Sequence, residues 1–160
     1  MPGLPASVFL DLDETLIHTR VAGTQLEPGL TTPLRYGPYL AWLRPDAREI
    51  LRVVGALAVP LYLCTASERA YAAGLSSVFG LGIPERNILG LEHLQAGQTG
   101  ISPFGVLIDD LDPGHEVARL KRRVLGIGTE RYFQIPAFRG HPDPRGSHTL
   151  RQLKAFLGRA

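Results

Sequence analysis

Five short, almost unbroken apolar runs recur along the chain: "SVFLD" from Ser7, "VPLYLC" from Val59, "NILGL" from Asn87, "GVLID" from Gly105 and "RYFQI" from Arg131. An alternating pattern would mark strands with one wet face. Unbroken runs mark strands covered on both faces, as in a parallel sheet. Helical patterns lie between several of them. In "RPDAREILRVVGAL" the apolar residues Ala47, Ile50, Leu51, Val54 and Leu57 fall three and four apart, and Pro45 and Asp46 suit a first turn. "SERAYAAGLSSVF", "HEVARLKRRVL" and "SHTLRQLKAFLGRA" are further helix candidates. Strand and helix in repeated succession predict an α/β fold.

Two segments break the pattern. Residues 21–40, with "EPG", "TTP" and "YGP", carry turn signals and no helical period, so a loop or a small β-excursion is expected there. "RGHPDPRGSH" is a second turn-rich segment, leading into the last helix. With 160 residues the chain is expected to form one domain, residues 1–160. A net charge of +2 and an ordinary apolar fraction argue against disorder and against stable nucleic-acid binding. The single cysteine, Cys64, excludes an internal disulfide. No run is long enough to span a bilayer, and no leader pattern opens the sequence, so a cytoplasmic protein is expected.

The chemistry gathers at strand ends. Asp11, Asp13 and Glu14 follow "VFL", and Asp109 and Asp110 close "GVLID". Like charges at the tips of buried strands repel one another and resist desolvation, so something must offset them. In open parallel sheets ligands sit outside the carboxyl ends of the strands, so both acidic clusters are expected to face one pocket. Aspartates with no histidine among them suit Mg²⁺, which prefers oxygen ligands, and suit zinc poorly. Thr65, after "LYLC" and before a helical pattern, offers a hydroxyl and nearby amides to a phosphate.

In order, "DLDETLIHT", "LRP", "LCTASERAYA" and "LIDDLDP" resemble the motifs of the haloacid dehalogenase superfamily of phosphatases. Within it, the chain is most similar to the branch that dephosphorylates the RNA polymerase II C-terminal tail, the NLI-interacting-factor-like phosphatases. The resemblance implies a three-layer, Rossmann-like parallel sheet with helices on both faces and no separate cap domain. It implies that Asp11 is the nucleophile and Asp13 the general acid and base. Thr65 and Ala66 would bind phosphate. Mg²⁺ would take Asp11, the Asp13 backbone carbonyl and Asp110, with Asp109 as a further ligand or orienting group. The partner would be a phosphorylated substrate, whether a protein segment, a nucleic-acid end or a small molecule, and no membrane.

One departure stands out. The family places a lysine between the Thr65 motif and the second acidic pair, and this sequence has none from Thr65 to Asp109. His93, Gln95 and Gln98 stand near the expected place; Arg86 precedes it, and Lys121 follows the acidic pair on a helix candidate. Without that charge, the alternative to an enzyme is a catalytically weak module that binds Mg²⁺ and a phosphorylated partner.

Plainer readings exist for each feature. Asp13 or Thr15 suits a helix cap, and Thr65 with Glu68 has the spacing of a capping box. "RLKRR" reads as a solvated helix face, Cys64 as core, and His141 and His148 as surface residues.

Overall fold

The structure is a computed structural model that describes residues 4–101 and 104–160. In chain order its elements are β1 (Ser7–Leu10), β2 (Ile17–Val21), β3 (Leu34–Tyr36), β4 (Tyr39–Leu43), α1 (Ala47–Gly55), β5 (Leu61–Cys64), α2 (Arg69–Val78), β6 (Ile88–Leu89), α3 (Leu91–Ala96), β7 (Gly105–Asp109), α4 (Glu116–Leu125), β8 (Tyr132–Gln134) and α5 (Gly146–Leu157). Each of the five apolar runs contributes one strand of a five-stranded sheet, ordered β6-β5-β1-β7-β8 and parallel throughout.

Both faces of this sheet are covered, which explains why its strands do not alternate in polarity. Val8 and Leu10 of β1, Leu63 of β5, and Val106 and Ile108 of β7 pack on Ile50 of α1, Leu75 of α2 and Leu153 of α5. The intervening Phe9, Cys64 and Leu107 turn to the opposite face, against Leu94 of α3 and Ala118 and Leu125 of α4. Burial of each large apolar side chain contributes roughly 1.5–3 kcal/mol, so the two layers clamp β1 from both sides. The expected three-layer α/β architecture is the one observed.

The "NILGL" run is split. Only Ile88–Leu89 is strand; Gly90 is extended, its N–H donates to His93 Nδ1, and Leu91 opens the short α3. The turn-rich segment is a β-excursion, larger than residues 21–40 suggest. It begins at Ile17 and closes at Leu43, forming an antiparallel sheet ordered β2-β4-β3. Its inner face buries Ile17 and Ala41, while Val21 and Leu34 are exposed. Tyr36 seats this small sheet on α2 by lying against Gly74, where no room remains for a Cβ.

The chain leaves β1 for β5 and β6 on one side, then crosses to β7 and β8 on the other. Strand order therefore reverses between β1 and β7. A crevice opens outside their carboxyl ends, where an α/β sheet takes its ligands.

Candidate active site

Asp11 prolongs β1: its N–H donates to the Ile108 carbonyl of β7 at 2.9 Å. The chain then turns sharply at Glu14, whose φ of 64° is left-handed, and runs back into β2. Such a turn keeps Asp11 and Asp13 at the mouth of the crevice while the backbone departs. β7 brings Asp109 to the same level, one strand away, and Asp110 follows at the rim.

The buried cation among these acids comes from α4. Lys121 Nζ donates to Asp11 Oδ1 and to Asp109 Oδ2, each at 2.7 Å, and all three residues are buried. Asp109 Oδ1 accepts from the Leu111 N–H at 3.1 Å, so both of its oxygens are held by protein donors. Arg86, by contrast, is exposed on the turn that enters β6 at the far end of the sheet, and Gln95 and Gln98 are exposed as well. His93 is spent capping α3. The "RLKRR" face is therefore solvated only in part: Arg119 and Arg123 are exposed, whereas Lys121 joins Ala118 and Leu125 on the buried stripe.

Thr15 ties the remaining carboxylates together. Its Oγ1 lies 3.1 Å from Asp11 Oδ2 and 3.3 Å from Asp110 Oδ1. One hydroxyl proton serves one oxygen at a time, so two anionic oxygens compete for it. Oxygens of Asp11, Asp109 and Asp110 all lie within 4.8 Å of one another. Burial raises the Asp11 carboxyl well above the usual range; Lys121 opposes this, and Asp109 adds to it. Burial raises the Asp110 carboxyl too. Burial pulls the Lys121 ammonium down, yet Asp11 and Asp109 outweigh it and hold the group above the ordinary lysine range. Lys121 is thus a permanent cation, and one cation does not balance three carboxylates. An all-oxygen donor set with an uncompensated charge fits a hard divalent ion.

Asp13 faces the other wall. Ser67 Oγ donates to its Oδ2 at 2.9 Å, Thr65 Oγ1 approaches the same oxygen at 3.4 Å, and Tyr71 Oη lies 3.1 Å from Oδ1. Thr65 is buried and its Oγ1 accepts from the Ser67 N–H at 3.0 Å, which leaves the hydroxyl proton free to turn. The capping box with Glu68 does not form. The α2 helix starts at Arg69, four residues after Thr65, and the Arg69 N–H is taken by the Glu92 carboxylate at 3.1 Å. Asp11, Asp13, Thr65, Ala66, Asp110 and Lys121 line one cavity of about 810 Å³.

Cys64 lies under this floor, fully buried; loss of water pushes its thiol up to about 12. It is core, as its apolar run indicates. His141 and His148 are exposed.

The profile of the NLI interacting factor-like phosphatases matches residues 6–88, more than half of the chain. The chain belongs to that family. Two solved structures of the RNA polymerase II CTD phosphatase Fcp1 show the same fold. One, from fission yeast and bound to beryllium fluoride, has a TM-score of 0.53 at 17% identity, covering 95% of this chain and 50% of that one. The other has a TM-score of 0.57 at 17% identity, covering 94% and 49%. This chain thus spans about half the length of those Fcp1 chains. DsGPDH of Dunaliella salina is similar at a TM-score of 0.50 and 14% identity, over 91% of this chain and 28% of that one. No curated protein sequence matches. The family and its haloacid dehalogenase-like fold are those the motifs resemble.

Thr15, Ser67 and Tyr71 hold the acidic groups, with Thr19 behind Tyr71, but all four escape a reading by motif. Their common signal is a hydroxyl within the quoted motif segments, at "DETLIHT" and "TASERAY".

Proposed function

We propose that this chain is an Mg²⁺-dependent phosphomonoesterase that works through an aspartyl-phosphate on Asp11. The observation that carries the reading is Lys121 Nζ, held between Asp11 and Asp109 at the floor of the cavity. It restores the fixed cation whose absence between Thr65 and Asp109 favoured a mere binding module.

Asp11 attacks phosphorus with an oxygen that faces the cavity, and the leaving oxygen departs in line. Asp13, on the opposite wall, gives that oxygen a proton and later takes one from the water that hydrolyses the acyl phosphate. Lys121 balances charge on the carboxylate and phosphoryl oxygens throughout, and Asp109 keeps the ammonium in place. Thr65 turns its hydroxyl to the phosphoryl group, beside the Ala66 turn. Asp11, the Asp13 carbonyl and Asp110 would hold Mg²⁺, which when bound neutralises and orients the phosphate. Asp109, with both oxygens engaged, serves as the orienting group.

Among the described residues no separate cap domain closes the cavity, which suits a phosphorylated segment of a larger molecule. Among the described residues no helix is long and apolar enough to cross a membrane. Fcp1 acts on the RNA polymerase II tail, and a phosphoprotein is the substrate class proposed here. The test is hydrolysis of an aryl phosphate with Mg²⁺. Wild type should turn over, and both chelator and Asp11→Asn should abolish it; activity retained by Asp11→Asn would remove the nucleophile.

A further inference from the structure

Beyond the carboxylates and the lysine, one half-buried chain of hydroxyls reaches the site from the β-excursion. Tyr71 Oη lies 3.1 Å from Asp13 Oδ1 and 2.8 Å from Thr19 Oγ1. Tyr71 rises from the first turns of α2, and Thr19 sits in the middle of β2, paired with Ala41. The Tyr71 ring is fixed in turn: it packs edge-on against Tyr39 at 5.4 Å and Tyr36 at 6.4 Å between ring centres. We propose that Tyr71, backed by Thr19, is a positioning residue for Asp13, aiming its carboxyl at the leaving-group oxygen and linking that aim to the seating of the β-excursion.

Two features support it. First, Asp13 is only partly buried and makes no ion pair among the described residues, so hydroxyl hydrogen bonds alone orient it. Ser67 and Thr65 hold one oxygen and Tyr71 holds the other, so Tyr71 is the group that fixes rotation of the carboxyl plane. Second, hydroxyls are donors and acceptors at once. Tyr71 donates to Asp13 Oδ1 and its oxygen pairs with the Thr19 hydroxyl. Oδ1 accepts that bond both before and after the proton on the other carboxyl oxygen passes to the leaving group, so the contact holds throughout the step.

The inference rests on the proposed general-acid role of Asp13, and the experiment separates the two. Rates with Mg²⁺ are measured for wild type, Tyr71→Phe, Thr19→Val and Thr19→Ser on two phosphomonoesters, one with a nitrophenol leaving group and one with an alkyl alcohol. Phe keeps the ring contacts with Tyr36 and Tyr39. A poor leaving group needs the acid, so Tyr71→Phe should lose about 10-fold or more in kcat/KM, which reports the leaving-group step, on the alkyl ester and under about 3-fold on the nitrophenyl ester. Thr19→Val should show the same bias at a smaller size, and Thr19→Ser should restore wild-type behaviour. Equal losses on both esters, or a rise in KM alone, would make Tyr71 a packing or binding residue and overturn the inference. Turnover by wild type that is indifferent to Asp13→Asn on both esters would instead overturn the reading on which it rests.

Discussion

Two buried cations, Lys121 and Arg44, are each only 1% exposed, and they do opposite things. Lys121 meets carboxylates alone, at the bottom of the cavity. Arg44 meets the frame: its Nη1 donates to the Thr15 carbonyl at 3.2 Å and the Pro136 carbonyl at 2.8 Å, and its Nε to Asp46 Oδ1 at 2.8 Å. It thereby ties the turn after β1 to the segment after β8 and to the start of α1. A planar guanidinium suits such divergent acceptors, and a compact ammonium suits a small space between two carboxylates. Arg44 sits in the recognisable "LRP", Lys121 in an unremarkable "RLKRR". Prominence in a motif and nearness to chemistry are separate matters.

The largest expected difference between them is in turnover. Lys121→Met should lower kcat by about 10²-fold or more, through loss of a fixed charge at a developing anion. Arg44→Met should leave turnover per folded molecule within about 10-fold, because no atom of Arg44 reaches the cavity. Equal losses in the two variants would erase the distinction drawn here.

Stability should not separate them so cleanly. Each substitution strands buried acceptors, so each is expected to cost about 3–5 kcal/mol by denaturant titration. The second substitution sharpens the contrast. Lys121→Met with Asp109→Asn removes one stranded carboxylate, and should regain part of the stability while turnover stays lost. Recovery of turnover in that double variant would contradict the role given to Lys121.

Smaller still is the effect of the ion. At about 100 times its dissociation constant, Mg²⁺ should stabilise the fold by about 2.7 kcal/mol, a rise in Tm of roughly 5–10 °C. Arg44→Lys should keep that rise, and Asp110→Asn should reduce it. A wild-type Tm indifferent to Mg²⁺ would leave the three carboxylates without their counter-charge.

The least visible consequence lies beneath the site. Cys64, with its thiol pushed up to about 12, should resist alkylation at neutral pH in the folded state and react fully once unfolded. Its folded value lies above the unfolded one of about 8.5, so its share of stability is present below that pH and fades as pH rises beyond it. Rapid labelling of the native thiol would show an open floor.

Much of this was legible in the sequence, for physical reasons. Strands covered on both faces must be apolar at every position, so the five runs announced the parallel sheet. Acids at the ends of such strands have no cheap structural use, so Asp11 and Asp110 stood out. Lys121 was harder to see because its neighbours Arg119, Arg122 and Arg123 mask it, although Ala118, Lys121 and Leu125 at spacings of three and four place it on the buried stripe of α4. The β-excursion was legible only as turns, since burial in "IHTRV" and "YLAWL" does not alternate: Ile17 with His18 and Ala41 with Trp42 are buried as adjacent pairs, and the other positions are partly or fully exposed. Tyr71 and Thr19 carry no periodic signal; their meeting depends on how that small sheet seats on α2.

Mass mapping of wild type, acid-quenched during turnover of a phosphate ester with Mg²⁺, tests the central assignment most directly. A phosphoryl group on the peptide carrying Asp11, absent in Asp11→Asn, is the predicted result. Steady turnover with the phosphoryl group on another residue, or on none, would contradict it.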